Sequence, residues 1–233
     1  MEQLGTILSI WAHPDDETYL AGGLMAAAAA NGQRVVCVSA TAGEAGTDDP
    51  TVWPPQRLGA VRRLEAAAAM AVLGVAEHRV LGLPDGGLSS VNGAALVTQL
   101  LDEVRPDTVV TFGPDGITFH PDHLAVHHWV VAAWSARRRS CRLLQAVWTE
   151  SQLAAIAGRD GVFMSDRRPL PASPDLRLVL DGPDLDRKVA ALRAMATQTA
   201  STFTDLGPDR FAALAAEEAF VDAPLRVEPL DGR

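Results

Sequence analysis

Two short segments carry the residue types that hydrolytic chemistry needs. Ala12-His13-Pro14-Asp15-Asp16-Glu17 puts an imidazole and three carboxylates close together, and His120-Pro121-Asp122-His123 repeats His-Pro-Asp with a second imidazole behind it. A borderline divalent cation takes nitrogen and oxygen donors. His13 and Asp16, three apart across a turn, suit one ion and leave Asp15 free for another task. Each segment alone also has a plain explanation. Acids at 15–17 suit the cap and first turn of a helix, where unpaired amides and the macrodipole favour them. His120 and His123 suit an ordinary loop, with Asp122 as a cap. Capping explains neither His13 nor Pro14. Jointly the segments offer three nitrogen or carboxylate ligands, an unligated acid and a spare imidazole. Those are the parts of a site where a metal with an open position acidifies water to a pKa of about 7.

The elements must bring the two segments together. The run from Thr6 to Ala12 is short, apolar and bounded by His-Pro, as a buried strand is. Tyr19 to Ala30 reads as a helix ended by Asn31-Gly32, and Arg34 to Ala40 as the next strand. The alternation continues with a helix from Leu58 to Leu73, a strand from His78 to Leu83, a helix from Ala94 to Val104, and a strand from Thr108 to Phe112. A helix from His123 to Arg138 and a strand from Leu143 to Thr149 follow. Continuous apolar strands alternating with helices predict an α/β, Rossmann-like three-layer sandwich with a mostly parallel sheet. Ligands bind outside the carboxyl ends of such strands, so the loops after Ala12, Ala40, Leu83 and Phe112 belong on one rim. Beyond Glu150 the pattern is weaker. Arg159 to Pro174 is polar and broken by prolines, Leu176 to Leu180 suits an edge strand, and Leu185 to Met195 and Arg210 to Ala219 suit helices. With no repeat or low-complexity linker, the expectation is a single domain over 1–233, a core to 150 and a C-terminal elaboration over 151–233.

Composition narrows the function. The 233 residues carry 29 acidic against 20 basic side chains, a formal charge of −9, which argues against a nucleic-acid partner and suits a metal site. Lys188 is the only lysine, so the arginines reflect a compositional bias that weakens any one of them as a signal. No apolar run approaches the roughly 20 residues of a membrane crossing, and the start lacks the pattern of an export signal, so a cytoplasmic protein is expected. Cys37 and Cys141 form neither a disulfide framework nor a metal clip.

On the two His-Pro-Asp segments the sequence resembles the zinc-dependent N-acetylglucosamine deacetylases of the PIG-L/LmbE type, which include the mycothiol and bacillithiol biosynthetic deacetylases. Weaker agreement lies at Thr41 to Thr47, at Arg62 with Glu65, at Leu73-Gly74-Val75 and at Leu81 to Gly86, and the resemblance spans residues 5 to 135. It implies that His13, Asp16 and His123 bind the metal and that Asp15 is the general base for its water. It further implies that His120, oriented by Asp122, stabilises the oxyanion as a cationic imidazole or protonates the leaving amine. The runner-up assignment exchanges roles within Asp15/Asp16 or His120/His123, and the sequence alone leaves it open. Zinc is the implied cofactor, and the donor set also accepts iron(II) or cobalt(II). Arg62 and Asp85 match positions that hold sugar hydroxyls, though Arg62 also suits a solvated helix arginine paired with Glu65, and Asp85 a Pro-Asp-Gly turn. His127, one turn after His123, suits a supporting role, since a fourth ligand closes the site. Where some members carry an assisting tyrosine, this chain has Gly116-Ile117-Thr118-Phe119.

The function expected is a hydrolase acting on a linear amide, removing acetate from a small N-acetylglucosamine-type substrate, with self-association left open. An amidase on a larger thiol-sugar conjugate and a non-catalytic metal- or sugar-binding protein are the alternatives. A nucleotide-binding dehydrogenase is disfavoured, because the turn after the first strand lacks Gly-x-Gly-x-x-Gly.

Overall fold

In a computed structural model that describes residues 3–137, 140–156 and 167–223, the apolar runs form the inner strands of one seven-stranded sheet. The strands are β1 (Ile7–Trp11), β2 (Val35–Thr41), β3 (Glu77–Leu83), β4 (Thr108–Phe112), β5 (Arg142–Ala146), β6 (Leu176–Val179) and β7 (Glu217–Asp222). Their order is β3-β2-β1-β4-β5-β7-β6. The first five run parallel, and β7 lies antiparallel to both β5 and β6. Every residue of β1, β2 and β4 is buried, as strands covered on both faces must be.

Helices α1 (Asp16–Ala30), α2 (Pro55–Leu73), α3 (Gly93–Val104) and α4 (Pro121–Ala136) join successive parallel strands. Right-handed crossovers put α1 and α2 on one face and α3 and α4 on the other. The packing follows this division: α3 lies against α4, while α1 and α2 share their face with α6 (Gly182–Ala194). The expected three layers result. Because β3 is followed across the sheet by β4, the chain changes direction between β1 and β4, and a crevice opens at their carboxyl ends. Both His-Pro-Asp segments stand there.

The strands fall within a residue or two of expectation through β4, but several boundaries move. Helix α1 begins at Asp16 rather than Tyr19, since the acidic residues are its first turn, and α2 begins at Pro55, where proline is tolerated. Arg138 and the segment 159–166 lie outside the described residues. A short helix α5 (Glu150–Ala155) and most of α7 (Ala196–Ala215), kinked at Gly207, were not foreseen. The helix expected over Arg210 to Ala219 stops at Ala215, and Glu217-Glu218-Ala219 is strand. Tertiary contacts override helix propensity there. The wholly buried Glu218 accepts from the Gly23 and Leu24 amides of α1 at 2.6 and 2.8 Å and pairs at 2.7 Å with the wholly buried Lys188 of α6. Breaking such a pair by removing one partner costs roughly 3–5 kcal/mol, so these contacts tie the C-terminal layer to α1.

Candidate active site

All four expected loops meet on the rim. A cleft of about 440 Å³ is lined by His13, Asp15 and Asp16 after β1, by 45–48 after β2, by Asp85 and Gly86 after β3, and by His120 and His123 after β4. A larger groove of about 660 Å³ beside α2 and β3, lined largely by apolar and small residues, holds no comparable cluster.

Two imidazoles and a carboxylate converge in the cleft. His123 Nε2 lies 3.3 Å from His13 Nδ1 and 3.3 Å from Asp16 Oδ1, and His13 Nδ1 lies 3.5 Å from Asp16 Oδ2. Donors bonded at 2.0–2.1 Å to a tetrahedral ion stand about 3.3–3.4 Å apart, so the two nitrogens are spaced for one divalent cation, with Asp16 presenting a different oxygen to each. His13, His120 and His123 likewise bring one ligand atom each within 4.8 Å of one another, as do His13, Asp85 and Asp122. The opposite ring atoms are engaged. His123 Nδ1 donates to the Gly116 carbonyl at 2.9 Å, and His13 Nε2 faces Asp85 at 3.0 Å and Asp122 at 3.4 Å. Such outer partners fix which nitrogen is offered to a metal. The Phe112 ring stacks on His123 with centroids 4.2 Å apart.

The electrostatics point the same way. Burial lowers His13, but Asp122, Asp16 and Asp85 outweigh it and hold its basicity well above the usual range. A field that keeps a proton on a buried imidazole also favours a cation beside it. Burial pushes His123 down to about 4, so it is neutral, as a ligand must be. Asp16 opposes burial through His123 and His13 and stays below the usual carboxylate range.

Asp15 behaves differently. It lies at the cap position of α1 but makes no cap bond, and its backbone sits at φ 125°, ψ −36°. Its carboxylate is 3.4 Å from Arg62 Nη2, and burial, opposed by that guanidinium, pushes it up to about 6. Behind it, burial together with Asp15 and Asp16 raises the wholly buried Glu17 to about 8.

In the second segment His120 is the cap of α4. Its Nδ1 accepts from the Asp122 amide at 3.2 Å, which leaves the proton on Nε2. Burial and the charge of His13 lower its basicity. The cationic His120 expected from the sequence is therefore disfavoured, because protonating Nδ1 breaks that bond. The Asp122 carboxylate is spent elsewhere: it accepts from the Gly86 and Leu88 amides at 2.8 and 3.0 Å and faces His13, so the ring of His120 is held by the main chain of Asp122.

Arg62 is not the solvated arginine of the plainer alternative. It is 3% exposed, and its terminal nitrogens donate to the Gly43 and Pro14 carbonyls at 2.7 and 2.5 Å. Glu65 instead accepts from the amide and hydroxyl of Thr197. Gly43, at φ 66°, lies directly under the guanidinium, leaving no room for a Cβ. Asp85 accepts from the Ala45 amide at 2.8 Å as well as facing His13.

Two participants escaped the sequence reading. Glu44 accepts from the Asp85 amide at 3.0 Å and steadies that turn; its place in the 41–47 stretch was the available signal. Gln198, at the start of α7, lines the cleft and donates to the Gly46 carbonyl at 3.1 Å, from a region with no recognisable pattern. His127 donates to the Phe112 carbonyl at 2.9 Å and does not line the cleft.

The chain is similar to known proteins. The family profile described as PIG-L, GlcNAc-PI de-N-acetylase, matches residues 8–134. The 1D-myo-inositol 2-acetamido-2-deoxy-alpha-D-glucopyranoside deacetylase of Saccharomonospora viridis is 35% identical over 88% of this chain and 88% of its own. A deacetylase of the same name from Saccharopolyspora erythraea is 35% identical over 82% and 77%. Among solved structures, the N,N'-diacetylchitobiose deacetylase of Pyrococcus horikoshii superposes with a TM-score of 0.73 at 20% identity, covering 97% of this chain and 87% of that one, which shows a shared fold. With that profile spanning both His-Pro-Asp segments, the chain belongs to the PIG-L de-N-acetylase family.

Proposed function

We propose that this protein is a metal-dependent hydrolase that removes the N-acetyl group from a 2-acetamido-2-deoxyglucopyranoside carrying an inositol-type aglycone. The observation that carries the reading is that His13 Nδ1 and His123 Nε2 lie 3.3 Å apart, each beside an oxygen of Asp16, in a cleft that also holds Asp15 and His120. The substrate class follows from the names of the two relatives.

In this reading His13, Asp16 and His123 hold the ion, with zinc expected and iron(II) or cobalt(II) accepted by the same donors. When bound, such an ion supplies a water of lowered pKa and an electrophile for the amide carbonyl. Asp15, pushed up to about 6, is ionised at neutral pH; its carboxylate oxygen takes the proton of the attacking water and returns it to the amine nitrogen as the C–N bond breaks and acetate forms. His120 donates from Nε2 to the amide oxygen as negative charge develops there, its ring fixed by the Asp122 amide. Arg62 and Asp85 line the wall for the sugar hydroxyls, using the hydrogens and lone pairs their internal bonds leave.

The test is acetate release from 2-acetamido-2-deoxyglucosides with inositol and other aglycones by zinc-loaded protein, beside Asp15→Ala and His123→Ala. The expected result is acetate from the intact enzyme, loss of bound metal in His123→Ala, and retained metal with turnover lowered by roughly 10²–10⁴-fold in Asp15→Ala. Tight sugar binding without acetate identifies a binding protein instead, and turnover confined to larger thiol-sugar amides identifies an amidase.

A further inference from the structure

Side chains hold the backbone of the turn between β1 and α1. The His13 amide donates to Asp16 Oδ2 at 2.8 Å, the Pro14 carbonyl accepts from Arg62 at 2.5 Å, and the Asp15 amide lies 3.2 Å from both oxygens of Glu17. Asp15 has the strained backbone of this turn, at a φ of 125° that residues with a Cβ rarely adopt. An aspartate at a helix cap ordinarily takes an extended conformation and folds its carboxylate onto the first amides. Here the carboxylate makes no such bond and lines the cleft. Glu17 does not line the cleft. It is wholly buried and steadied by the Thr18 hydroxyl, which donates to Oε1 at 3.0 Å. In a capping box a glutamate three residues on reaches back to the cap amide while the cap side chain reciprocates. Glu17, two residues on, makes the backward reach alone.

We propose that Glu17 is a positioning residue for Asp15: its carboxyl oxygens hold the Asp15 amide, and with it the strained main chain that aims the Asp15 carboxylate into the cleft. The inference rests on the reading of Asp15 as the base. Glu17 touches neither substrate nor metal donors in this role and acts only through Asp15.

A double-mutant cycle with separate kcat, KM, bound-metal and melting measurements tests this. Glu17→Ala is expected to lower kcat by about 10²-fold, the scale of a catalytic group misplaced by roughly 1 Å, with KM and bound metal unchanged. Glu17→Gln, which keeps an oxygen acceptor for the Asp15 amide, is expected to recover most of that loss. Adding Glu17→Ala to Asp15→Ala is expected to cost nothing further, because residues acting as a unit are non-additive. If Glu17→Ala does not fold, Glu17→Asp, one methylene too short to reach the amide, takes its place. Losses that multiply in the double variant, a Gln variant as impaired as the Ala one, or a loss carried by metal content overturn the proposal. Full turnover in Asp15→Ala alone overturns the assignment of the base instead.

Discussion

The two His-Pro-Asp segments share three residues and divide their work differently. In both, the fourth residue turns inward, Asp16 in one and His123 in the other, and the two meet at 3.3 Å. The first and third residues part company. His13 offers Nδ1 to the shared point, whereas His120 spends Nδ1 as a helix cap. Asp15 keeps a carboxylate at the cleft on a strained backbone, whereas Asp122 is wholly buried, with both oxygens accepting from main-chain amides. A tripeptide signature thus fixes where a ligand can sit but not which acid is free to react. What decides that is whether neighbouring amides have already claimed the carboxylate. The loop after β3 claims both oxygens of Asp122, while Glu17 takes the Asp15 amide and the Asp15 carboxylate faces the cleft and Arg62.

The largest contrast comes from Asp15→Gly. Glycine adopts φ 125° without the strain of roughly 1–3 kcal/mol that a residue with a Cβ bears there, and this exceeds its entropic cost of roughly 0.5–1 kcal/mol. The variant should melt at or above the parent temperature while turnover falls by roughly 10²–10⁴-fold. A drop in melting temperature beside intact turnover breaks the division of labour at its first half.

Asp122→Ala should do the reverse, at smaller functional cost. It strands the Gly86 amide and the buried Leu88 amide, the latter at roughly 1–3 kcal/mol, and removes one of the two carboxylates facing His13 Nε2. The expected outcome is a lower melting temperature and a 10–100-fold weaker metal affinity, about the usual effect of losing an outer partner. Titrating zinc into both variants under one melting assay compares them directly. Unchanged zinc affinity in Asp122→Ala detaches that residue from the metal centre.

Legibility followed the same physics. Strands β1 to β4 and their shared rim were readable because buried parallel strands must be continuously apolar, and the His-Pro-Asp recurrence marked both turns that meet in the cleft. The strain at Asp15 was not readable, since an aspartate before a helix is the commonest of caps. Arg62 was ambiguous for a similar reason: one arginine among many on an Ala-rich helix carries no mark of the Gly43 and Pro14 carbonyls it serves. Strand β7 was misread because Glu and Ala favour helices in isolation. Its strand state depends on Lys188 and on two amides of α1, about 30 and 195 residues away.

His127 gives the smallest functional effect and the sharpest boundary. It follows His123 by one turn of α4, on the same face, where the sequence suits it to a supporting role. Its Nδ1 bonds to the Phe112 carbonyl, at the end of the strand whose last ring stacks on His123. Removing it in His127→Ala leaves that carbonyl unpaired and a small void, a loss of roughly 1–3 kcal/mol in stability. Because the seat of His123 is set separately by the Gly116 carbonyl and the Phe112 ring, zinc content and kcat should stay at parent values. A variant that folds yet loses zinc would place His127 among the determinants of the site and extend the second segment beyond its four residues. Retained zinc in a less stable protein leaves His127 outside the proposed metal centre.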